Sequence, residues 1–423
     1  MQGSEDTAVP SVGALSHLKV LDLSRVLAGP WCTQMLADLG ADVIKVERPG
    51  AGDDTRHWGP PFMPDAAGKT TDQASYFNCC NRNKRSITLD LARPEGQALV
   101  RQLAVQSDIV VENFKVGGLK AYGLDHESLR ALNPRLIYCS VTGFGQGGPY
   151  AERAGYDLMI QAMSGMMSIT GRADDQPGGG PLRVGVALTD LFTGVYACAA
   201  ILAALEVRNR TGVGQHVDMA LLDVGMAILA NQASGYLNTG DVPRRQGNSH
   251  PSLAPYQDFQ TRDGAMLLAI GNDGQFSRFC HAVGKPEWSA DPRFAGMAGR
   301  VTHRTELVAL MQEVTRTRDT AQWIALFEDK AVPCGPINDL AGAFADAQVL
   351  ARGLAVEQAC TPARAQRDGI AAIRSVASPL RLGDTPPVLR RAPPALGEHT
   401  DEVLAELGLA PAAIAALRSG GVV

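Results

Sequence analysis

The chain has 423 residues, 45% of them hydrophobic, with 39 basic and 44 acidic side chains and a formal net charge of -5. That length supports two or three domains with their own cores, and the mild acidity with few aromatics excludes a basic stripe for nucleic acid. The apolar runs near Gly194–Leu205 and Met219–Ala230 are about a dozen residues, short of the roughly 20 that cross a bilayer, so no membrane-spanning segment is expected.

Residues 1–15 carry two acids, no basic residue and no apolar core, and read as a flexible arm rather than a secretory signal. The next stretch, Lys19 to Arg48, reads as strand (Lys19–Leu23), tight turn, helix (Pro30–Leu39) and strand (Val43–Val46). Its bend is Leu27-Ala28-Gly29-Pro30, without the G-x-G-x-x-G of a dinucleotide site. A helix N-terminus over the carboxyl edge of a sheet still favours phosphate, and Pro30 suits a first turn because its missing N–H would be unpaired there. At the end of the second strand Glu47 suits a free ribose hydroxyl, whereas Arg48 suits a ribose phosphate.

Strand and helix then alternate through Ser86–Leu91, Pro94–Val105, Asp108–Glu112, His126–Leu132 and Leu136–Thr142, which predicts a parallel sheet covered on both faces. Arg82-Asn83-Lys84-Arg85 is the densest basic cluster, readable as an anion site or as a solvated turn. The segment Leu188–Arg208 is apolar nearly all round and predicts a central, buried helix with Thr189 as N-cap and Asp190 in its first turn. A strand (Gln215–Leu221), a helix (Val224–Leu237) and a Gly/Pro/Asn-rich linker (238–252) follow. Beyond them come a hairpin (Tyr256–Gln260, Met266–Ile270) around an Asp-Gly turn, three helices near Gln275–Val283, Arg304–Thr317 and Ala321–Ala331, a further helix (Leu340–Arg352) and a two-helix tail (His399–Gly420).

Asp190 is the sharpest chemical candidate. A first-turn carboxylate among apolar walls is a usable nucleophile, although acids also serve there as plain helix caps, and spacing does not decide between the two. No histidine pair has i, i+4 metal spacing, and His126 and His399 read as surface or capping groups. The P-loop and G-x-S-x-G patterns are absent. Cys32, Cys79, Cys80, Cys139, Cys198, Cys280, Cys334 and Cys360 show no C-x-x-C spacing and read as free thiols of a reducing, cytoplasmic compartment, without structural zinc.

Eleven ordered segments, among them V-L-D-L-S-R-V-L-A-G-P, G-A-D-V-I-K-V-E-R-P-G, N-R-N-K-R-S-I-T-L-D-L, D-I-V-V-E-N-F, A-G-Y-D, G-V-A-L-T-D, G-N-S-H-P-S-L-A-P-Y and L-G-E-H-T-D-E-V-L, resemble the class III CoA-transferases, the formyl-CoA and carnitine CoA-transferase family. The resemblance covers nearly the whole chain after the arm. It implies an α/β fold with a Rossmann-like parallel-sheet large domain plus a smaller α+β domain, in an interlocked homodimer. The large domain would comprise 1–225 and a return segment 331–423, with 226–330 as linker and small domain.

The same resemblance implies that Asp190 is catalytic, carrying CoA between acids through aspartyl anhydride and aspartyl-CoA thioester intermediates, with no metal. Coenzyme A would lie against Val26, Leu27 and Ala28, with Arg48 near the adenosine phosphate, Leu89 to Ala92 and Asn113, Phe114 and Lys115 along the nucleotide, and Tyr156 and Asp157 beside the thioester. Leu27 replaces the glutamine of formyl-CoA transferase, and the four-glycine flap of that enzyme is missing around Arg262 to Asp273, so formate and oxalate are poor expectations. The look is closest to members using succinyl-CoA and dicarboxylic acids, for which Arg82, His250 and Tyr256 are candidate contacts. The racemases of the family place a histidine where this chain has Tyr156, whose phenol is a weak base at neutral pH. A racemase-like proton transfer and a noncatalytic CoA-binding protein remain the two other readings.

Overall fold

The computed structural model describes residues 13–423. Most of the arm expected at 1–15 lies outside the described residues; of its remainder, Leu15 is folded, with its N–H bonded to Leu39 O at 2.8 Å. Two compact units are formed. The larger comprises 13–164, 185–234 and 348–423, the smaller 165–184 and 235–347. The crossings therefore fall elsewhere than at 225 and 330. The segment 334–336 belongs to the smaller unit because Cys334–Pro336 pairs antiparallel with Ala265–Ala269.

The larger unit is built on six parallel strands in the order Lys84–Thr88, Asp42–Glu47, Lys19–Asp22, Ile109–Glu112, Ile137–Thr142 and His216–Ala220. Counted by position in the chain this is 3-2-1-4-5-6, so the order reverses between Lys19–Asp22 and Ile109–Glu112, where a crevice opens at the carboxyl ends. Alternate residues face opposite cores: Val20, Ile109, Val111 and Cys139 enter one, Leu21, Val110 and Tyr138 the other. The first core is closed by the opening helix Ala28–Asp38 and by the long helix Leu188–Thr211; the second by Pro94–Val105 and the tail helices Thr400–Glu406 and Pro411–Ser419.

The long helix exceeds its expected length, and at 24 residues it is long and apolar enough by composition to cross a membrane, which the short apolar runs did not register. It is not buried all round: Ala197, Ile201 and Ala204 sit in the core, whereas Phe192, Val195, Tyr196 and Leu202 are 37–45% exposed. Gly194 permits the close crossing with the opening helix, since a Cβ there would stand 2.7 Å from Ala28 O. The helix expected over Val224–Leu237 is split into Leu221–Ala227 and Ala230–Thr239 at Ala230, whose φ is +45°.

The basic cluster is neither an anion site nor a solvated turn. Arg82, Lys84 and Arg85 are all at most 5% exposed. Arg82 grips Asp38 with Nη2 at 2.5 Å and Nε at 2.9 Å, Lys84 Nζ lies 2.9 Å from Asp22, and Arg85 reaches Asp42, Glu402 and Glu406. His399, expected as a surface or capping group, is buried at the N-cap position of Thr400–Glu406, where its ring accepts from Ser86 N at 3.3 Å. The smaller unit has its own core of Phe259, Phe276, Phe279, Trp323 and Phe327, with the fully buried Arg300 donating to Ala254 O, Phe294 O and Asp273.

Because both members of the Lys84–Asp22 pair are fully buried, removing one strands a charge in a low-dielectric interior. Lys84→Met is expected to lose about 3 kcal/mol or more of unfolding free energy in urea titrations; a loss below about 1 kcal/mol would assign the pair no structural role.

Candidate active site

Three loops leaving the carboxyl ends of the strands at the reversal point, together with the start of the long helix, enclose a cavity of about 210 Å³. Arg25 to Ala28 follow the first strand, Asn113 to Val116 the fourth, and Thr142 and Gly143 the fifth; Arg153, Tyr156 and Asp190 are also in the wall. A second cavity of about 250 Å³ lies at the neighbouring strand ends, lined by Arg48, Leu89, Asp90, Leu91 and Ala92. Arg25 and Phe114 line both, with the Arg25 guanidinium 5.6 Å from the Phe114 ring centre. An elongated ligand passing that junction would lie along both.

Val26 is the strained element of the wall. Its φ of +72° is the left-handed region that a β-branched residue avoids, so its surroundings must hold it there. Asp53 accepts from Val26 N at 3.2 Å, and Asn113 brackets Arg25 by accepting from its N at 2.8 Å and donating to its O at 2.7 Å. Asp53 is itself fixed by Lys45 Nζ at 2.9 Å, which also donates to Ser24 O at 2.7 Å. Burial works to raise the Asp22 pKa, but Lys84, Lys45, Ser24 and Thr33 together lower it to about 2, so these carboxylates stay charged. The opening helix starts at Ala28, two residues before the expected Pro30, and no side chain caps it at Leu27, which leaves first-turn N–H groups beside the cavity.

Glu47 does not await a ribose. It is buried and bound by Arg56 through Nε and Nη2, both at 2.7 Å, and by Ser86 Oγ at 2.6 Å. Arg48 is exposed, lines the second cavity and makes no ion pair among the described residues. Of the residues expected around CoA, Val26, Leu27, Ala28, Asn113, Phe114, Lys115 and Tyr156 line the first cavity, and Arg48, Leu89, Ala92 and again Phe114 the second.

Asp190 lies in the first turn of its helix, with its carboxyl raised to about 7 by burial and then by the charge of Asp157. Thr189 is not the cap: the N-cap position is Ala187, which has no capping side chain, and Thr189 donates its hydroxyl to Asp157 at 2.6 Å. Asp157 is therefore a partner of the helix end rather than a free cavity group.

The candidates for an acid's second carboxylate fall in different units. Arg82 is committed to Asp38 and to Val376 O and lines neither cavity. His250 and Tyr256 belong to the smaller unit, where their rings are 5.3 Å apart. Residues not expected from the sequence also join the site. Trp58, Asp54 and Arg153 line the first cavity, and Tyr76, edge-on to Trp58 at 5.5 Å, has its phenol pKa raised by burial and by nearby groups including Asp190. No sequence motif marks them; they lie in the loops and a short turn between strands.

Among the described residues no cluster of His, Cys, Asp and Glu has the arrangement of a metal site. Residues 15–400 match the model of CoA-transferase family III. The chain is 52% identical over 393 residues to the succinate--glutarate CoA-transferase of Agrobacterium fabrum, covering 93% of this chain and 95% of that protein. It is 42% identical over 405 residues to the succinyl-CoA:glutarate CoA-transferase of Mus musculus, covering 96% and 89%. Among solved structures, a CAIB/BAIF family protein from Brucella suis is similar with a TM-score of 0.81 and 49% identity, over 93% of this chain and 99% of that one.

The raised Asp190 carboxyl has a consequence for stability. Its folded pKa of about 7 lies above the ordinary 3.8, so the folded state holds the proton more tightly and loses stability as pH rises between these values. Asp190→Asn should therefore stabilise the protein at pH 8 by on the order of 2 kcal/mol, a figure discounted because the carboxyl borders an open cavity, and the gain should vanish near pH 4. Thermal unfolding across this range checks it; a gain that is equal at both ends contradicts the assignment.

Proposed function

This chain belongs to CoA-transferase family III, and on that premise we propose that it moves CoA from succinyl-CoA to a second dicarboxylic acid of the glutarate kind, with Asp190 as the covalent carrier. The observation that carries the proposal is the position of Asp190 in the first of two cavities that share Arg25 and Phe114. The nucleotide end of CoA fits the second cavity, where the exposed Arg48 side chain pairs with no acid among the described residues and is open to the ribose phosphate. The pantetheine arm then passes Phe114 and brings the thioester to Asp190.

In this reading the Asp190 carboxylate attacks the succinyl carbonyl carbon and the C–S bond breaks, giving a mixed anhydride and CoA thiolate. The thiolate attacks the Asp190 carbonyl of the anhydride, forming an aspartyl-CoA thioester and releasing succinate. The acceptor carboxylate displaces CoA to make a second anhydride, and the thiolate attacks the acceptor's acyl carbon, regenerating Asp190. Each oxyanion forms near the uncapped first turn of the opening helix, whose N–H groups are oriented before reaction. A carboxyl with a pKa near 7 is a stronger nucleophile, once ionised, than an ordinary aspartate.

Selection of dicarboxylates rests on the names of the relatives and on cations in the first cavity, Arg25, Lys115 and Arg153. The exposed apolar stripe of the long helix, with Phe192, Val195, Tyr196 and Leu202, supports the homodimer expected from the resemblance. Proton transfer at an α carbon has less support, because the group beside Asp157 is the phenol of Tyr156.

With succinyl-CoA as donor, glutarate and similar diacids should outcompete monocarboxylic acids of equal length. Asp190→Ala should lower turnover by at least about 10³-fold. A panel of acids assayed by liquid chromatography of the CoA esters tests both; retained transfer in Asp190→Ala, or no CoA ester with any acid, would overturn the proposal.

A further inference from the structure

The helix that carries Asp190 begins without a cap of its own. Ala187 stands at the N-cap position and supplies no side-chain acceptor. The missing acceptor comes from another helix: Asp157, first residue of Asp157–Met163, places Oδ1 at 2.8 Å from Thr189 N, 2.6 Å from Thr189 Oγ1 and 3.4 Å from Asp190 N. Its other oxygen, Oδ2, accepts from Gln161 Nε2 at 2.7 Å, so the carboxylate is held from both sides.

We propose that Asp157 is a positioning residue for the transfer reaction, capping the Asp190 helix from outside and setting how readily Asp190 gives up its proton. This rests on the reading of Asp190 as the acyl carrier. The physical reason is competition. First-turn N–H groups would ordinarily stabilise a carboxylate at Asp190, but Asp157 takes the N–H of Thr189 and approaches that of Asp190. The same oxygen also brings a like charge close to Asp190, which disfavours a second negative charge there. An N-cap of Asn, Ser or Thr would satisfy the helix end without that repulsion. A negatively charged cap therefore does something a neutral one cannot: it raises the basicity of the carboxylate two residues into the helix.

Other charged and titratable groups face Asp190 as well. Tyr76 approaches from the turn Tyr76–Cys79, and Arg25, Asp54, Lys115, Arg153 and Tyr156 border the same cavity. None of these accepts a hydrogen bond from the start of the Asp190 helix, so the capping effect separates from theirs by substitution at a single position.

The test compares wild type, Asp157→Asn and Asp157→Ser in single-turnover reaction with succinyl-CoA, following acylation of Asp190 by hydroxylamine trapping and peptide mass spectrometry from pH 5 to 9. Both variants keep a capping oxygen and remove the charge. The acidic limb of the rate profile is expected to move to lower pH by about one unit in each, with a lower plateau above it because the ionised carboxylate is less basic. A profile with its limb unmoved in a variant whose thermal unfolding matches wild type would overturn the role of Asp157. If one variant fails to fold, the other decides by the same criterion. Absence of any Asp190 adduct in wild type removes the carrier reading and the role of Asp157 with it, whereas an adduct in wild type with an unmoved limb removes the role of Asp157 alone.

Discussion

Two buried ammonium groups, Lys45 and Lys84, hold the loop on which the site depends. Lys84 joins Asp22 to Pro30 O and Asn81, and Lys45 joins Ser24 O to Asp53. Through Asp53 this reaches Val26, whose left-handed backbone shapes the wall of the cavity beside Asp190. A buried ion pair adds little net stability over apolar residues of equal volume, because desolvation offsets the attraction. Its effect here is geometric: each carboxylate accepts from fixed donors, so the strained loop has one position.

Asp190 sits under the opposite regime. The network carboxylates are matched by cations and stay charged at low pH, whereas Asp190 has its pKa raised by burial and then by the like charge of Asp157. The protein thus keeps some carboxylates as scaffolding and holds Asp190 in the state that suits its proposed role, separated by environment alone. The distinction suits the proposed exchange of thioester and anhydride bonds, for which a basic carboxylate and oriented N–H groups supply what the steps need.

Much of this was legible in the sequence because it depends on local rules. Alternation of strand and helix gave the parallel sheet, and first-turn position singled out Asp190. What the sequence hid depends on contacts across long separations. Arg82 to Arg85 read as a surface or anion-binding cluster because their acidic partners, Asp38, Asp22, Asp42, Glu402 and Glu406, lie 43 to 321 positions away. Thr189 is the nearest local candidate for the cap of the long helix, whereas the acceptor is Asp157 on a different helix. Glu47 looked like a ribose ligand by strand position and is consumed by Arg56. Trp58, Tyr76 and Arg153 reach the site from loops and a short turn whose course no periodicity encodes.

The central claim, that Asp190 passes through an anhydride with the acceptor, fixes the fate of one oxygen atom. If an acceptor dicarboxylate labelled with oxygen-18 attacks the aspartyl thioester and CoA thiolate then takes the acyl carbon, the bridging oxygen stays on Asp190. Mass spectrometry of the peptide bearing Asp190 after a single turnover with succinyl-CoA and labelled glutarate should therefore show one oxygen-18 in its carboxylate, and the label should appear in succinate on the next turnover. CoA ester formed with an unlabelled Asp190 would contradict the account.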